Sequence, residues 1–157
     1  MNNKIGKIKD FFVRNNLTFG IAESCTGGLI SNLITDVSGS SLFFKGAVVA
    51  YSNEIKTSVL KVPSNVVAKY GAVSSHVAYF MVKGVQSVLD IDVGVSITGI
   101  AGPLGGTEEK AVGLAYVGFI YKNIVKIRRL CFDPDLDRIS MKESFANWVL
   151  MFVLKNI

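Results

Sequence analysis

Ser24, Cys25 and Thr26 stand in a row in the segment GIAESCTGGLI (Gly20–Ile30), between an apolar run and a pair of glycines. Each carries an oxygen or sulfur that attacks an electrophilic carbon once a base takes its proton. The usual base is scarce. His76 is the sole histidine, and its helical neighbours Tyr79 and Lys83 place it on a polar face, opposite the Val77–Met81 stripe. That count removes a Cys–His pair at Cys25, a Ser-His-Asp triad and a multi-histidine zinc site. An acyl-transfer reaction here would need lysine, tyrosine or a carboxylate as its base. Lys56 meets the requirement, because it falls in the first turn of a helix expected to begin near Asn53, where the macrodipole disfavours positive charge. An amine so placed, and partly buried in a crevice, holds its proton less tightly than an exposed lysine and becomes a base. Tyr51, five residues earlier at the end of an expected strand, is placed to pass or donate a proton.

These residues need elements to position them. Asn2 to Asn16 approximates one apolar helical face, with Ile5, Ile8, Phe11, Phe12 and Val13. Thr18 to Glu23 reads as a strand, and Gly27-Gly28 leads into a helix from Leu29 to about Thr35. Asp36 to Ser41 is a loop by composition. Gly46 to Tyr51 (GAVVAY) reads as a central strand covered on both faces, and a helix follows from about Asn53 to Leu60. Pro63 opens another helical piece, and Ser74 to Asp90 reads as a longer helix with Val77, Met81, Val85 and Val88 on one stripe. Asp92 to Ile100 is a further buried strand, ending in the glycine-rich loop Thr98 to Lys110. Val112 to Tyr121 and Asn123 to Phe132 form an antiparallel hairpin, and Leu136 to Asn156 is helical again. The expected fold is a three-layer α/β/α sandwich around a mixed, mainly parallel sheet with one antiparallel hairpin, in a single domain over residues 1–157. In such sheets ligands bind beyond the carboxyl ends of parallel strands, so Ser24–Gly28, Tyr51–Lys56 and Thr98–Gly106 should converge. Their glycines let backbone N–H groups approach an anion or oxyanion closely.

Composition narrows the function classes. Half of the residues are apolar and 18% are charged, which argues for a well-buried core and against disorder. The net charge is +5, but lysines and arginines are scattered without a run of five, so a nucleic-acid face is not expected; the charge equally suits a small anionic ligand. Cys25 and Cys131 are far apart and no basic, apolar signal opens the chain, so a reducing cytoplasm is the expected location. The most apolar run, Trp148 to Leu154, is far short of the roughly 18 residues that span a bilayer. It reads as a buried helix end or as a contact in an expected homo-oligomer, dimer or higher.

Taken together, AESCTGG (Ala22–Gly28), TDVSGSS (Thr35–Ser41), VAYSNEIK (Val49–Lys56), YGAVSSHVA (Tyr70–Ala78), TGIAGPLGG (Thr98–Gly106) and EEKAVG (Glu108–Gly113) resemble the CinA C-terminal domain family, in matching order and over nearly the whole chain. Stand-alone members of that family are nicotinamide mononucleotide (NMN) deamidases. The resemblance implies hydrolysis of the carboxamide of NMN to nicotinic acid mononucleotide and ammonia, with no metal and no coenzyme. It points to Ser24, Ser41, Tyr51 and Lys56 as the reactive cluster. It leaves open which serine attacks, with Ser41 favoured as nucleophile and Ser24 helping to position Lys56 or Tyr51. It implies that Cys25, Thr26, Gly27 and Gly28 of one loop and Thr98, Gly99, Ala101, Gly102, Gly105 and Gly106 of another hold the nucleotide, with Arg138 or Lys142 as counter-charge to its phosphate. The chain departs from the family pattern at Leu104, at Ala111, where the family has proline, and at Lys142, where it has arginine. The rival reading is a nucleotide-binding or interaction module of the competence and DNA-damage type that keeps the crevice without turnover.

Overall fold

The structure, a computed structural model, describes residues 2–157. The elements run α1 (Asn2–Arg14), β1 (Phe19–Glu23), α2 (Leu29–Thr35), a single 3-10 turn (Ser40–Leu42), β2 (Phe44–Val49), α3 (Asn53–Ser58), α4 (Ser64–Tyr70), α5 (Ser75–Leu89), β3 (Val93–Gly99), β4 (Leu114–Tyr121), β5 (Ile124–Cys131) and α6 (Arg138–Leu154). The strands form one sheet in the order β2-β1-β3-β4-β5. Helices α1, α2 and α6 bury Ile5, Ile8, Phe12, Ile34, Phe145 and Val149 on one face of it, and the second face is covered by α3 to α5 through Leu60, Val77, Met81 and Val85. This is the expected α/β/α sandwich around a mixed sheet.

Three details differ from the sequence reading. Antiparallel pairing extends beyond the hairpin, because β4 pairs antiparallel with β3 as well as with β5, leaving β1 with β2 and β1 with β3 as the parallel pairs. The hairpin turn itself, Lys122-Asn123, has positive φ at both residues, the conformation that matches strand twist in a two-residue turn. The strand expected at Gly46–Tyr51 begins earlier, at Phe44, and lies at the sheet edge, so its apolar alternation is only half-buried. Val88 is 46% exposed, since the buried stripe of α5 runs through Val77, Ala78, Met81, Val82 and Val85 and has rotated away by the last turn.

The parallel pairing decides which loops meet. Glu23 lies opposite Val49 on one side and Ile97 on the other, so the segments leaving β1, β2 and β3 emerge at the same end of the sheet. Two backbone bonds fasten that end: the Ala50 N–H donates to the Glu23 carbonyl at 2.8 Å, and the Ser24 N–H donates to the Ile97 carbonyl at 3.1 Å. Thr98, buried at the end of β3, donates its hydroxyl to the Ala72 carbonyl at 2.8 Å and draws the α4–α5 connection to the same place.

Candidate functional site

The three loops enclose a crevice of about 250 Å³. Ser24, Cys25, Tyr51, Lys56, Thr98, Gly99, Ala101, Gly105 and Arg138 line it, together with Asn53, Ala72, Val73, Ile100 and Leu104. Its walls therefore come from five separate parts of the chain: the three loops expected to converge, the α4–α5 connection and the start of α6.

Lys56 is 1% exposed. Its Nζ donates to the carbonyls of Ala50 at 2.8 Å and Tyr51 at 3.2 Å. Among the described residues it has no carboxylate partner. Burial holds its pKa below the usual lysine value of 10.5, because the charged form loses hydration that two carbonyls replace only in part. The sequence argument expected a weakened amine at Lys56 but gave the macrodipole as its leading cause. Helix α3 has only six residues and Lys56 is as near its C-terminus as its N-terminus, so desolvation, not the macrodipole, perturbs it.

The three adjacent side chains now separate by environment. Cys25 is 6% exposed and belongs to the core cluster while also lining the crevice, and burial pushes its thiol up to about 12, so it stays protonated at neutral pH. Thr26 is fully buried and donates its hydroxyl to Glu23 Oε2 at 2.6 Å. Ser24 lines the crevice, and among the described residues no group holds its hydroxyl. The amides of Cys25 and Thr26 are likewise free of backbone partners among the described residues, whereas Ser24 N–H is used by Ile97.

Ser41 is not brought to this group. It sits exposed in the turn Ser40–Leu42, at the entry end of β2, whereas Tyr51 and Lys56 follow its exit end. Five steps of strand at about 3.3 Å each place roughly 17 Å of β2 between the two ends. The resemblance implied a reactive cluster that included Ser41, whereas the structure sets Ser41 at the opposite end of β2 from Lys56.

Other expected positions have uses different from ligand contact. The amide of Gly28 donates to Glu23 Oε2 at 3.1 Å, so it is already spoken for. Gly27, exposed at φ 63°, passes beside Lys142, whose Nζ lies 3.7 Å from the position a Cβ would take there. Lys142 is thus next to the Ser24–Gly28 loop but outside the crevice lining. The Gly102 carbonyl accepts from Arg138 Nη1 at 2.6 Å, and Arg138 Nη2 donates to the Tyr51 hydroxyl at 2.8 Å, so one guanidinium ties opposite walls of the crevice. Gly106 is exposed, lies beside Val112 and is not among the residues that line the crevice. His76 is exposed and stacked on Tyr70, with ring centroids 3.7 Å apart, as its polar face implied. Among the described residues no three of His, Cys, Asp and Glu cluster as metal ligands, and no helix is long and apolar enough to cross a membrane.

The residue that sequence reasoning missed is Glu23. The signal was a carboxylate ending a strand, FGIAE, that is otherwise wholly apolar, followed three residues later by a threonine hydroxyl.

Comparison with known proteins agrees with the fold. A family model described as the CinA C-terminal domain matches residues 2–157. A CinA-like protein from Dictyoglomus thermophilum is 48% identical over 134 residues, 85% of this chain and 33% of that protein. A CinA-like protein from Citrifermentans bemidjiense is 42% identical over 142 residues, 89% of this chain and 34% of that protein. The chain therefore spans about a third of the length of the curated relatives it matches. Among solved structures, the competence/damage inducible protein CihA from Agrobacterium tumefaciens superposes with a TM-score of 0.94 at 30% identity, covering 98% of this chain and 93% of the other. A CinA superfamily protein from Escherichia coli superposes equally well, at 0.94, covering 99% of this chain and 89% of the other; at 24% identity it speaks for the fold alone.

Proposed function

The chain belongs to the CinA C-terminal domain family, and from that premise we propose that its crevice is the active site of an amidohydrolase that converts NMN to nicotinic acid mononucleotide and ammonia. The observation that carries the reading is Lys56: a buried amine without a carboxylate partner among the described residues, its proton weakened by desolvation, in the same crevice as an unengaged serine hydroxyl.

The neutral Lys56 amine takes the proton of Ser24 as Ser24 Oγ attacks the carboxamide carbon. The carbonyl oxygen becomes an oxyanion, for which the amides of Cys25 and Thr26, directly after the nucleophile and without backbone partners among the described residues, are the donors next in sequence, the Cys25 amide also facing its own thiol. Collapse of this intermediate breaks the C–N bond. The proton held by Lys56 leaves with the amide nitrogen as ammonia, and the acyl group stays on Ser24 as an ester. Water then attacks the ester, Lys56 takes its proton and returns one to Ser24 Oγ, and the carboxylate product departs. The two carbonyls on Nζ fix the amine through both protonation states, since each accepts a hydrogen from either form. Tyr51 shapes the mouth, with its hydroxyl held by Arg138. The phosphate of the substrate is assigned to Arg138 and Lys142, the two cations beside the crevice loops. Both α2 and α6 have their N-terminal amides capped by the chain's own carboxylates, Glu23 and Asp137, which leaves these side chains to supply the positive charge.

The test is ammonia release, with identification of the acid product, over NMN and a small panel of other pyridine carboxamides. Release from NMN with stoichiometric nicotinic acid mononucleotide supports the reading. Release from none of the panel by a folded preparation refutes it.

A further inference from the structure

We propose that Glu23 is a positioning residue for the nucleophile: its buried carboxylate sets the backbone of the Ser24–Gly28 turn so that Ser24 Oγ and the amides after it face Lys56. This deepens the amidohydrolase reading and rests on it for the identity of the reaction.

A carboxylate at 0% exposure is costly unless its lone pairs are filled. Glu23 fills them entirely from the turn and helix that follow Ser24. Oε2 accepts from Thr26 Oγ1 at 2.6 Å, from the Gly28 amide at 3.1 Å and from the Ile30 amide at 3.2 Å. Oε1 accepts from the Ser31 amide at 2.9 Å and from the Ser31 hydroxyl. The carboxylate thereby occupies the amino end of α2 as an internal anion. It also gathers donors from residues 26 to 31 around one point, and the Thr26 hydroxyl closes the chain back onto Glu23 across Ser24 and Cys25. The Gly27 amide completes that loop by donating to the Ser24 carbonyl at 3.1 Å, a turn in which Gly27 and Gly28 both adopt positive φ.

The same residue is linked to the base. Its carbonyl accepts the Ala50 N–H, and the Ala50 carbonyl accepts Lys56 Nζ. Glu23 therefore fixes the nucleophile turn by its side chain and the lysine cradle by its main chain. A displacement of about 1 Å at a reacting group is enough to cost on the order of a hundredfold in rate. Because the carboxylate is fully enclosed, it touches neither substrate nor the reacting atoms, and its influence passes through Ser24.

The test uses the full chain with Glu23→Gln, Glu23→Asp and Ser31→Ala. Glu23→Gln keeps size and replaces an acceptor oxygen by a donor, so one of the two hydrogen-bonded clusters must open. The expected result is a kcat for NMN lower by about a hundredfold, with KM changed by less than about threefold. Glu23→Asp keeps the charge but withdraws it by one methylene, and should lose a similar factor. If these variants do not fold, Ser31→Ala removes one hydroxyl donor only, and should lower kcat by roughly three- to tenfold with an unaltered KM. A purely structural role would lower the thermal midpoint while leaving kcat per folded molecule intact, and that outcome overturns the inference.

A second readout is independent of the substrate: the rate at which a serine-directed sulfonyl fluoride labels Ser24, followed by intact mass and peptide mapping. Slower labelling in Glu23→Gln, or in Ser31→Ala, supports the inference. Labelling at the parent rate overturns it, as does failure of the parent itself to label at Ser24. If the parent labels at Ser24 but releases no ammonia from any pyridine amide, the amidohydrolase reading fails and the labelling rates still decide the role of Glu23.

Discussion

Replacing Lys56 by methionine removes the amine and keeps the unbranched stem. Two opposing effects bear on stability. The carbonyls of Ala50 and Tyr51 lose their donor, at roughly 1–3 kcal/mol for each that stays dry, while removal of a buried cation relieves the desolvation that now lowers its pKa. The crevice is open to water at its mouth, where Tyr51 is 61% exposed, so solvent reaches at least the Tyr51 carbonyl side. We expect a net change within about 1 kcal/mol, a shift of the thermal midpoint of roughly 2–4 °C for a chain of this size. Activity should respond on another scale, falling by about 10²–10⁴-fold, the contribution typical of a positioned acid–base group. Ammonia release is measured beside the midpoint on the same preparations. A variant that retains activity within about tenfold of the parent removes Lys56 from the mechanism, whatever its stability.

The pH dependence has a definite sign. The neutral amine is the active form, so kcat/KM should rise with pH through the Lys56 pKa, which lies below 10.5, and this limb should vanish in Lys56→Arg, which stays protonated throughout. Between the lowered folded pKa and 10.5 the unfolded lysine binds a proton that the folded one lacks, so this residue's contribution to stability rises with pH across that window in chemical denaturation. Ser24→Ala should lose at least about a hundredfold in kcat while Cys25→Ala and Ser41→Ala stay within about tenfold of the parent; a loss at Ser41 equal to that at Ser24 would reverse the assignment of the nucleophile. Near neutral pH a thiol alkylating agent should modify exposed Cys131 and spare Cys25, with activity retained; substrate-protectable inactivation traced to Cys25 would contradict this. Nicotinamide riboside, which lacks the phosphate, should be poorer than NMN by on the order of ten- to a hundredfold, a discrimination that Lys142→Ala should reduce; equal turnover of both by the parent would mean that no phosphate site operates.

Local sequence was sufficient for the elements and for most of the crevice. The strand, glycine pair and helix around Ser24 appear within a residue of their expected limits, because apolar runs of strand length bounded by glycine or serine admit few alternatives. Convergence of the loops after β1, β2 and β3 was legible too, since a strand–helix alternation implies parallel pairing and a common end for the connections. The polar-face position of the sole histidine was legible as well, and the structure leaves His76 exposed and stacked on Tyr70.

What the sequence left undecided depended on contacts between residues distant along the chain. Ser41 precedes β2 and Lys56 follows it, and the pairing of Phe19 with Phe44 and of Glu23 with Val49 sets Ser41 at the end of the sheet away from Ser24. Lys56 holds its proton weakly because the fold buries its amine against the carbonyls of Ala50 and Tyr51, and desolvation has no signature in a local run of letters. Cys25 and Ser24 are adjacent in sequence and both line the crevice, yet burial keeps the Cys25 thiol protonated while the Ser24 hydroxyl has no partner among the described residues. Glu23 shows the same limit most sharply: its type and position hinted at a partner, but only the fold wraps five donors around a buried carboxylate and so decides that it organises the turn instead of facing substrate.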